Sequence, residues 1–544
     1  MTELSELVRQ GKNEELWQRC CGFIDLSLED FMKIQKRLLM EQVDLQEKCE
    51  LGRFIMNGTS PRSVSEFRRQ VPLTTYADYA PYLLKRRMDV LPKKPILWQY
   101  TSGKYGEYSH RWAPVTTRQL EEIEPLILAL VLFSSCKKRG EVNFRQHDKV
   151  LYGMAPPPYT TGTMARTLPQ ELFDFLPPLD DAEIMPFEER IRQGFEMALH
   201  ERMDLCLTLS SVAVAIGNRF SQKGRGTSLK SLPKKPKTLL RLAKGIVKSK
   251  LARRQLLPRD IWSLKGLITY GIDGSVYREN IKEMWGRYPL DFHGCTEAVM
   301  IAMQTWDYQG MTFIPHLNFF EFIPEEEAIK SREDPTYQPS TLLLDELQPG
   351  NYELVITSLH GGPFIRYRLG HLIKITSLRN EQLDIDIPQM VFLSRIDDQI
   401  DIAGFTRLSE KVVWQAIENT GIAYKDWVAC KEVRDKPILH LYVEPKEEVE
   451  IANEQLASAI HKELKKLDSP YAELESFTGL RPLEVTLLPK GAFQAYKSRQ
   501  QAAGADLTHL KPPHFNPPDA TVNFLKQPTR QVAAGEIIRE KVEA

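Results

Sequence analysis

The longest strongly apolar run in this chain is Leu126–Phe133. It falls far short of the roughly 20 residues a helix needs to cross a bilayer, so no transmembrane helix is expected. The apolar groups must instead be buried in cores built from shorter elements. Hydrophobic residues make up 42% and charged residues 26% of the chain, with 72 Lys+Arg against 72 Asp+Glu. That balance excludes a disordered or collagen-like chain. A net charge of zero argues against a protein built mainly to coat nucleic acid, so no nucleic-acid partner is expected. The 544 residues allow two to four domains at about 100–200 residues each. The acidic start, Met1-Thr-Glu-Leu-Ser-Glu-Leu7, lacks the apolar stretch of a secretory signal. Seven scattered cysteines without a C-x-x-C pair suggest neither a zinc knuckle nor a redox motif, and reduced thiols in a cytoplasmic protein are the simplest reading.

Along the chain, residues 1–60 read as helical, with Ser27-Leu-Glu-Asp30 as a capping box ahead of Phe31, Ile34 and Leu38. Residues 97–116 read as strand, glycine loop and strand, followed by a helix from about Thr117 to Lys137. Val150–Ala155 reads as a buried strand running into the stiff loop Pro156–Gly162, and 186–217 as helical and then apolar. Residues 287–380 are strand-rich, with Phe319–Ile323 and Tyr352–Thr357 as the clearest strands and a turn at Gln348–Asn351. A helix is expected from about Ser409 to Glu418, strands at Leu439–Val443 and Glu484–Leu488, and a surface helix in the tail Gln527–Ala544.

Charge is uneven in one place: 219–259 carries 14 Lys/Arg and no Asp or Glu. Within it, Thr238–Arg254 reads as a basic amphipathic helix with Leu239, Leu242, Ala243, Ile246, Val247 and Leu251 along one side. The apolar side is expected to pack on the large domain beneath a solvated basic face; contact with an anionic membrane is the alternative.

Four segments carry candidate chemistry. Tyr100-Thr-Ser-Gly-Lys-Tyr-Gly106 is a hydroxyl- and glycine-rich turn whose backbone N–H groups could face an anion. In His293-Gly-Cys-Thr-Glu297, Thr296 could donate to a phosphate and Glu297 could hold Mg²⁺, a hard cation that prefers oxygen. Cys295 beside His293 could be an activated thiol, although a small packing residue is the simpler reading. Pro363-Phe-Ile-Arg-Tyr-Arg-Leu-Gly-His371 offers Arg366 and Arg368 either to a ligand or to structural ion pairs. Leu393–Gly404 holds Arg395, a possible nucleotide contact, and Asp397 or Asp398, a possible hinge.

The order and spacing of these segments resemble the acyl-adenylate-forming superfamily of acyl-CoA synthetases, luciferases and adenylation domains. Within it the chain resembles the Gretchen Hagen family of auxin-responsive acyl-acid amido synthetases. The resemblance lies in Trp98–Gly103 with Pro114-Val-Thr116, Asn318–Pro324, Gly350–Thr357 with Phe364–Gly370, and Gly491-Ala-Phe493 with Gly504 and Lys511-Pro512.

The resemblance implies an α/β protein. Its large N-terminal domain, residues 1–396, would have sheets flanked by helices and a β-barrel-like element. A smaller, mobile α+β domain, residues 397–544, would follow. It implies ATP and Mg²⁺, a carboxylic acid activated as acyl-adenylate, and transfer of the acyl group to an amine, usually of an amino acid. By position, Thr101, Ser102, Gly103 and Lys104 would line the phosphates. Gly294, Cys295, Thr296 and Tyr367 would lie against the nucleotide, and Glu297 would hold the metal. Arg395 would contact ribose or phosphate. The catalytic lysine of the C-terminal domain has candidates Lys490, Lys497 and Lys511, with Lys511 favoured by position. Two departures stand out. His371 occupies the position of the family's ribose-binding Asp, and Lys104 and Tyr105 replace small residues of the phosphate loop, with Arg111 as the basic residue that follows. These departures leave open an adenylate-fold binding protein without catalysis, and a CoA ligase is a third reading. An acid pocket lined by Pro156–Gly162 and by the helix near Phe195–Leu205 is expected.

Overall fold

A computed structural model describes residues 3–100, 111–223, 236–270, 274–334, 336–395, 399–402, 406–433, 437–447, 452–469, 471–472, 482–502 and 514–527. The chain divides into two compact units, 1–393 and 394–544.

In the first unit, β1 (Leu97–Tyr100) and β2 (Trp112–Val115) form an antiparallel pair with Tyr100 opposite Trp112. The helix Thr117–Ser135 follows. Its start is fixed by reciprocal capping: the Gln119 N–H donates to Thr116 Oγ1 at 3.2 Å, and the Thr116 N–H to Gln119 Oε1 at 3.0 Å. All of Leu126–Phe133 is buried, so the longest apolar run is the all-round buried half of this helix.

Next come β3 (Asp148–Gly153), β4 (Phe173–Leu176), β5 (Leu205–Leu209) and β6 (Gly266–Tyr270), in the parallel order β4-β3-β5-β6. Nearly continuous burial along β3 and β5 matches a sheet covered on both faces. β5 and the helices on either side of it, Phe187–His200 and Ser210–Lys223, lie in the stretch read from sequence as helical and then apolar. A strand of five apolar-rich residues has no period that separates it from a buried helix segment.

The second sheet of this unit has seven strands in the order β10-β11-β12-β13-β9-β8-β7. They are β7 (Phe292–His293), β8 (Ala302–Gln304), β9 (Met311–Phe313), β10 (Asn318–Pro324), β11 (Gly350–Ser358), β12 (Tyr367–Ser377) and β13 (Gln389–Arg395). Gly350 and Asn351 already belong to β11, so the turn read at Gln348–Asn351 lies just before them. The core of the unit joins this sheet to the N-terminal helices, including Leu28–Gln46, whose cap Ser27 accepts from the Asp30 N–H at 3.1 Å.

The basic helix runs from Pro236 to Leu251 and departs from the expected packing. Of its six aligned apolar residues only Leu242 is buried; Leu239, Ile246, Val247 and Leu251 are exposed, together with Leu240. The inward stripe is Thr238, Leu242, Gly245 and Ser249. Gly245 lets the helix seat closely in this rotation: a Cβ there would lie 2.6 Å from Ile261 Cδ1, which would have to give. Arg241 holds it too, donating to the carbonyls of Ala198 at 3.0 Å and Leu199 at 2.6 Å, at the C-terminus of helix Phe187–His200.

The second unit contains the hairpin β14 (Gln399–Ile402) and β15 (Thr406–Ser409), the helix Glu410–Asn419 capped by Ser409, and a three-stranded sheet. In that sheet β16 (Tyr424–Val433) pairs antiparallel with β17 (Pro437–Pro445), which pairs parallel with β18 (Leu483–Leu487). The fully buried Glu444 accepts from the Gly491 and Phe493 N–H groups, both at 2.8 Å, at the start of helix Ala492–Ala502. Beyond Gln527 the expected tail helix lies outside the described residues. Among the described residues no helix is long and apolar enough to cross a membrane. All seven cysteines are free thiols.

Candidate active site

The site is built where the turn after β7 meets the start of β12. The turn is tight: a Cβ on Gly294 would lie 2.2 Å from the Val299 carbonyl oxygen, so only glycine fits. Val299 stands at φ 59°, and the buried Asn318 side chain holds the turn by donating to the carbonyls of Ala298 at 2.9 Å and Met300 at 3.2 Å. This fixes Thr296 and Glu297, both nearly fully buried.

Tyr367 opens β12 at a second fixed point. The Thr74 N–H donates to the Arg366 carbonyl, and the Arg368 N–H to the Thr74 carbonyl, each at 2.9 Å. The Tyr367 ring packs against Phe364 and Tyr79, with centroids 4.8 and 5.9 Å away. Its hydroxyl donates to Glu297 Oε1 at 3.2 Å. Burial, reinforced by the Glu297 carboxylate, pushes this phenol well above its ordinary pKa, so it stays a donor. Arg111 Nη1 approaches the same Glu297 oxygen at 3.7 Å, and its guanidinium lies 5.5 Å from the Tyr76 ring centroid. Arg111 is therefore a site residue.

Thr296 faces a second polar cluster. Its Oγ1 lies 2.9 Å from the Thr160 hydroxyl, which is 3.2 Å from Gln99 Oε1. Gln99 is completely buried on β1, and among the described residues its Nε2 has no hydrogen-bond partner. An unsatisfied buried amide donor costs on the order of 1–3 kcal/mol, and an acceptor oxygen entering beside Thr160 and Thr296 would relieve that cost. The Tyr100 and Tyr159 rings close this side, centroids 4.5 Å apart.

The third cluster is a histidine pair. His293 Nε2 and His371 Nδ1 are 3.1 Å apart, so one ring donates and the other accepts. Phe392 stacks on His293 at 4.8 Å. His371 reaches His293 through an irregularity in β12: Arg368 stands opposite Val355 and Leu372 opposite Glu353, leaving three residues against Leu354. Gly370 supplies the positive φ this needs, at 67°.

The sequence-predicted residues thus separate. Gly294, Thr296, Glu297 and Tyr367 converge directly, and Cys295 lies among them, partly buried against the main core. His371 joins through His293. Arg366 and Arg368 are ion-pair partners instead. Arg366 donates to both oxygens of Glu321, at 3.0 and 2.8 Å, and Arg368 pairs with both oxygens of Glu353. Thr101, Ser102, Gly103, Lys104, Asp397, Asp398 and Lys511 lie outside the described residues. Arg395 ends β13, Lys490 is exposed, and Lys497 lies 3.9 Å from Asp426. Phe195, expected to line an acid pocket, packs against Trp262 and Trp285 in a separate core. Sequence reasoning did not single out Gln99 or Thr160; their signal, polar residues inside apolar or small-residue stretches, is weak without the fold.

The fold is of the adenylate-forming type. Two solved structures share it across most of their length. One is the AtGH3.15 acyl acid amido synthetase in complex with 2,4-DB (TM-score 0.64, 16% identity, 93% of this chain and 95% of that one). The other is 2-hydroxyisobutyryl-CoA ligase in the postadenylation state (TM-score 0.58, 14% identity, 88% and 93%). The GH3 family N-terminal, central and C-terminal domain models match residues 20–174, 311–395 and 409–517. The chain belongs to the GH3 family. It is 26% identical over 220 residues to the 4-substituted benzoates-glutamate ligase GH3.12 of Arabidopsis thaliana, covering 37% of this chain and 36% of that protein. It is 25% identical over 224 residues to the jasmonoyl-L-amino acid synthetase GH3.5 of Oryza sativa subsp. japonica, covering 38% and 37%. The chain therefore spans little more than a third of the length of the curated relatives it matches.

Proposed function

We propose that this protein is an ATP-dependent acyl-acid amido synthetase. A carboxylate oxygen attacks the α-phosphorus of ATP, pyrophosphate leaves, and an acyl-adenylate forms. An amine, in our reading that of an amino acid, then attacks the acyl carbon; AMP leaves and the amine loses a proton. Membership of the GH3 family supports this reading. The single observation that carries it is the buried, unsatisfied Gln99 amide beside Thr160 and Thr296, a donor set suited to the acceptor oxygens of a phosphoryl or carboxylate group.

Glu297 fits a Mg²⁺ ligand in the manner Mg²⁺ prefers, one carboxylate with substrate phosphates and water, and the ion would neutralise charge on the phosphates. Among the described residues no group of three His, Cys, Asp or Glu forms an all-protein metal cage. Tyr367 would fix the carboxylate orientation and Arg111 would balance charge. Thr101, Ser102, Gly103 and Lys104 would cradle the phosphates. Gly294 and Cys295 would border the nucleotide, and Arg395 would contact ribose or phosphate. Lys511, with Lys490 as the alternative, would follow the developing charge as a point cation.

His371 favours a second reading, a binding protein of this fold without catalysis. By the motif resemblance it takes the place of the family's ribose-binding aspartate, and it is engaged with His293. A neutral imidazole accepts one hydrogen bond, where a carboxylate could take both from a ribose diol.

Acid-dependent exchange of labelled pyrophosphate into ATP, over a panel of carboxylic acids, decides between them. Exchange, followed by acyl-amino acid formation seen by mass spectrometry, is expected. No exchange with any acid, and no gain in nucleotide binding for His371→Asp, would leave the binding protein.

A further inference from the structure

We infer that helix Pro236–Leu251 is a docking surface for an anionic lipid bilayer, lying in the interface as a peripheral anchor. Soluble helices normally turn their widest apolar arc inward. Here the inward stripe is narrow and made mostly of small residues, Thr238, Gly245 and Ser249 with Leu242. The wider apolar arc faces out: Leu240 is 59% exposed, Val247 56% and Leu251 80%, with Leu239 and Ile246 beside them.

This rotation is imposed by packing on both sides. Gly245 seats against Ile261, whose Cδ1 would lie 2.6 Å from a Cβ there. Arg241 is tied to the carbonyl end of helix Phe187–His200, and Thr238 Oγ1 hydrogen-bonds His200 Nδ1. At about 100° per residue, Lys244 and Lys248 border the exposed arc on one side, and Lys250 lies within it near the C-terminal end. The structure gives none of these three lysines a carboxylate partner within 4.0 Å among the described residues, and 219–259 contains no Asp or Glu.

An apolar face flanked by unpaired cations is the pattern that seats at an anionic headgroup boundary, the apolar side chains entering the acyl region and the lysine stems reaching back to the headgroups. A two-fold dimer through this face would set the same positive charge against itself, whereas an anionic bilayer complements it. The helix is about 24 Å long and lies flat rather than spanning. Nothing in this inference depends on adenylating activity.

The full chain is sedimented with vesicles of pure phosphatidylcholine, and with vesicles in which about three lipids in ten are phosphatidylserine. Binding to the second only is expected, falling away at about 1 M salt, where the screening length is about 3 Å. Lys244→Glu/Lys248→Glu should weaken it more than tenfold, at about fivefold or more per lysine. Leu240→Glu/Val247→Glu, which leaves the inward stripe intact, should abolish it without changing the melting temperature. The inference is overturned if the anionic vesicles bring down no protein, if both variants bind as the parent does, or if the exposed arc mediates a lipid-independent dimer that Leu240→Glu/Val247→Glu disperses.

Discussion

Two chain neighbours, Arg366 just before β12 and Tyr367 at its first position, face two different kinds of polar cluster. Arg366 is buried and uses its whole fork: two bonds to Glu321 and others to the carbonyls of Arg68 (2.7 Å) and Val71 (2.5 Å). Thr341 completes Glu321 by donating at 2.7 Å. Tyr367 enters a cluster left partly open. Its partner Glu297 has an arginine at 3.7 Å, beyond hydrogen-bond reach, and the adjoining Thr296–Thr160–Gln99 line ends in an unsatisfied amide. The closed cluster holds N-terminal segment, β10 and β12 together. The open one is what a ligand would complete.

The contrast can be broken most violently on the closed side. Arg366→Ala leaves the buried Glu321 with only Thr341 and, at 4.0 Å, Arg68, and should cost about 3–5 kcal/mol in urea unfolding; a cost below about 1 kcal/mol would remove the distinction. On the open side, Glu297→Gln keeps an acceptor for Tyr367 and should change stability by less than about 1 kcal/mol, while lowering acid-dependent pyrophosphate exchange about 100-fold. Unfolding without loss of exchange would reverse the assignment.

The second unit offers another closed cluster, readable by pH. His514 is buried between Glu410 (2.5 Å) and Asp426 (2.9 Å), with Lys497 lying 3.9 Å from Asp426 and Trp427 stacked on its ring. Burial opposes its charge, but the two carboxylates win and raise its pKa to about 10. A raised folded-state pKa stabilises fully below the unfolded value near 6.5, and that stability is lost as pH rises towards about 10. The melting temperature should therefore fall between pH 7 and 10, and His514→Gln should flatten that slope.

Gln99→Leu removes the unsatisfied amide and should leave stability unchanged or raise it by up to about 1 kcal/mol, measured by urea unfolding, while weakening nucleotide or acid binding. A loss above about 2 kcal/mol would make Gln99 scaffold.

Much of this was legible in the sequence. Gly294, Thr296 and Glu297 announce a glycine turn bearing a hydroxyl and a carboxylate, and the capping residues Ser27, Thr116 and Ser409 mark helix starts through local chemistry alone. Whether Arg366 and Arg368 met a ligand or an ion-pair partner could not be settled, because their partners Glu321 and Glu353 come from other strands. The His293–His371 contact depends on the irregularity at Gly370, which has no signature in a single sequence. Helix Pro236–Leu251 was legible as amphipathic, but its rotation is set by Gly245 and Arg241 against other helices, and periodicity gives a face without saying which way it turns.

The central claim is that the open cluster around Thr296 and Glu297 is a nucleotide site. Calorimetric titration of Mg·ATP into the intact protein and into Thr296→Ala/Glu297→Gln tests it most directly. The parent should bind saturably, and the variant at least tenfold more weakly at an unchanged melting temperature. A folded parent that does not bind, or a variant that binds equally well, would contradict it.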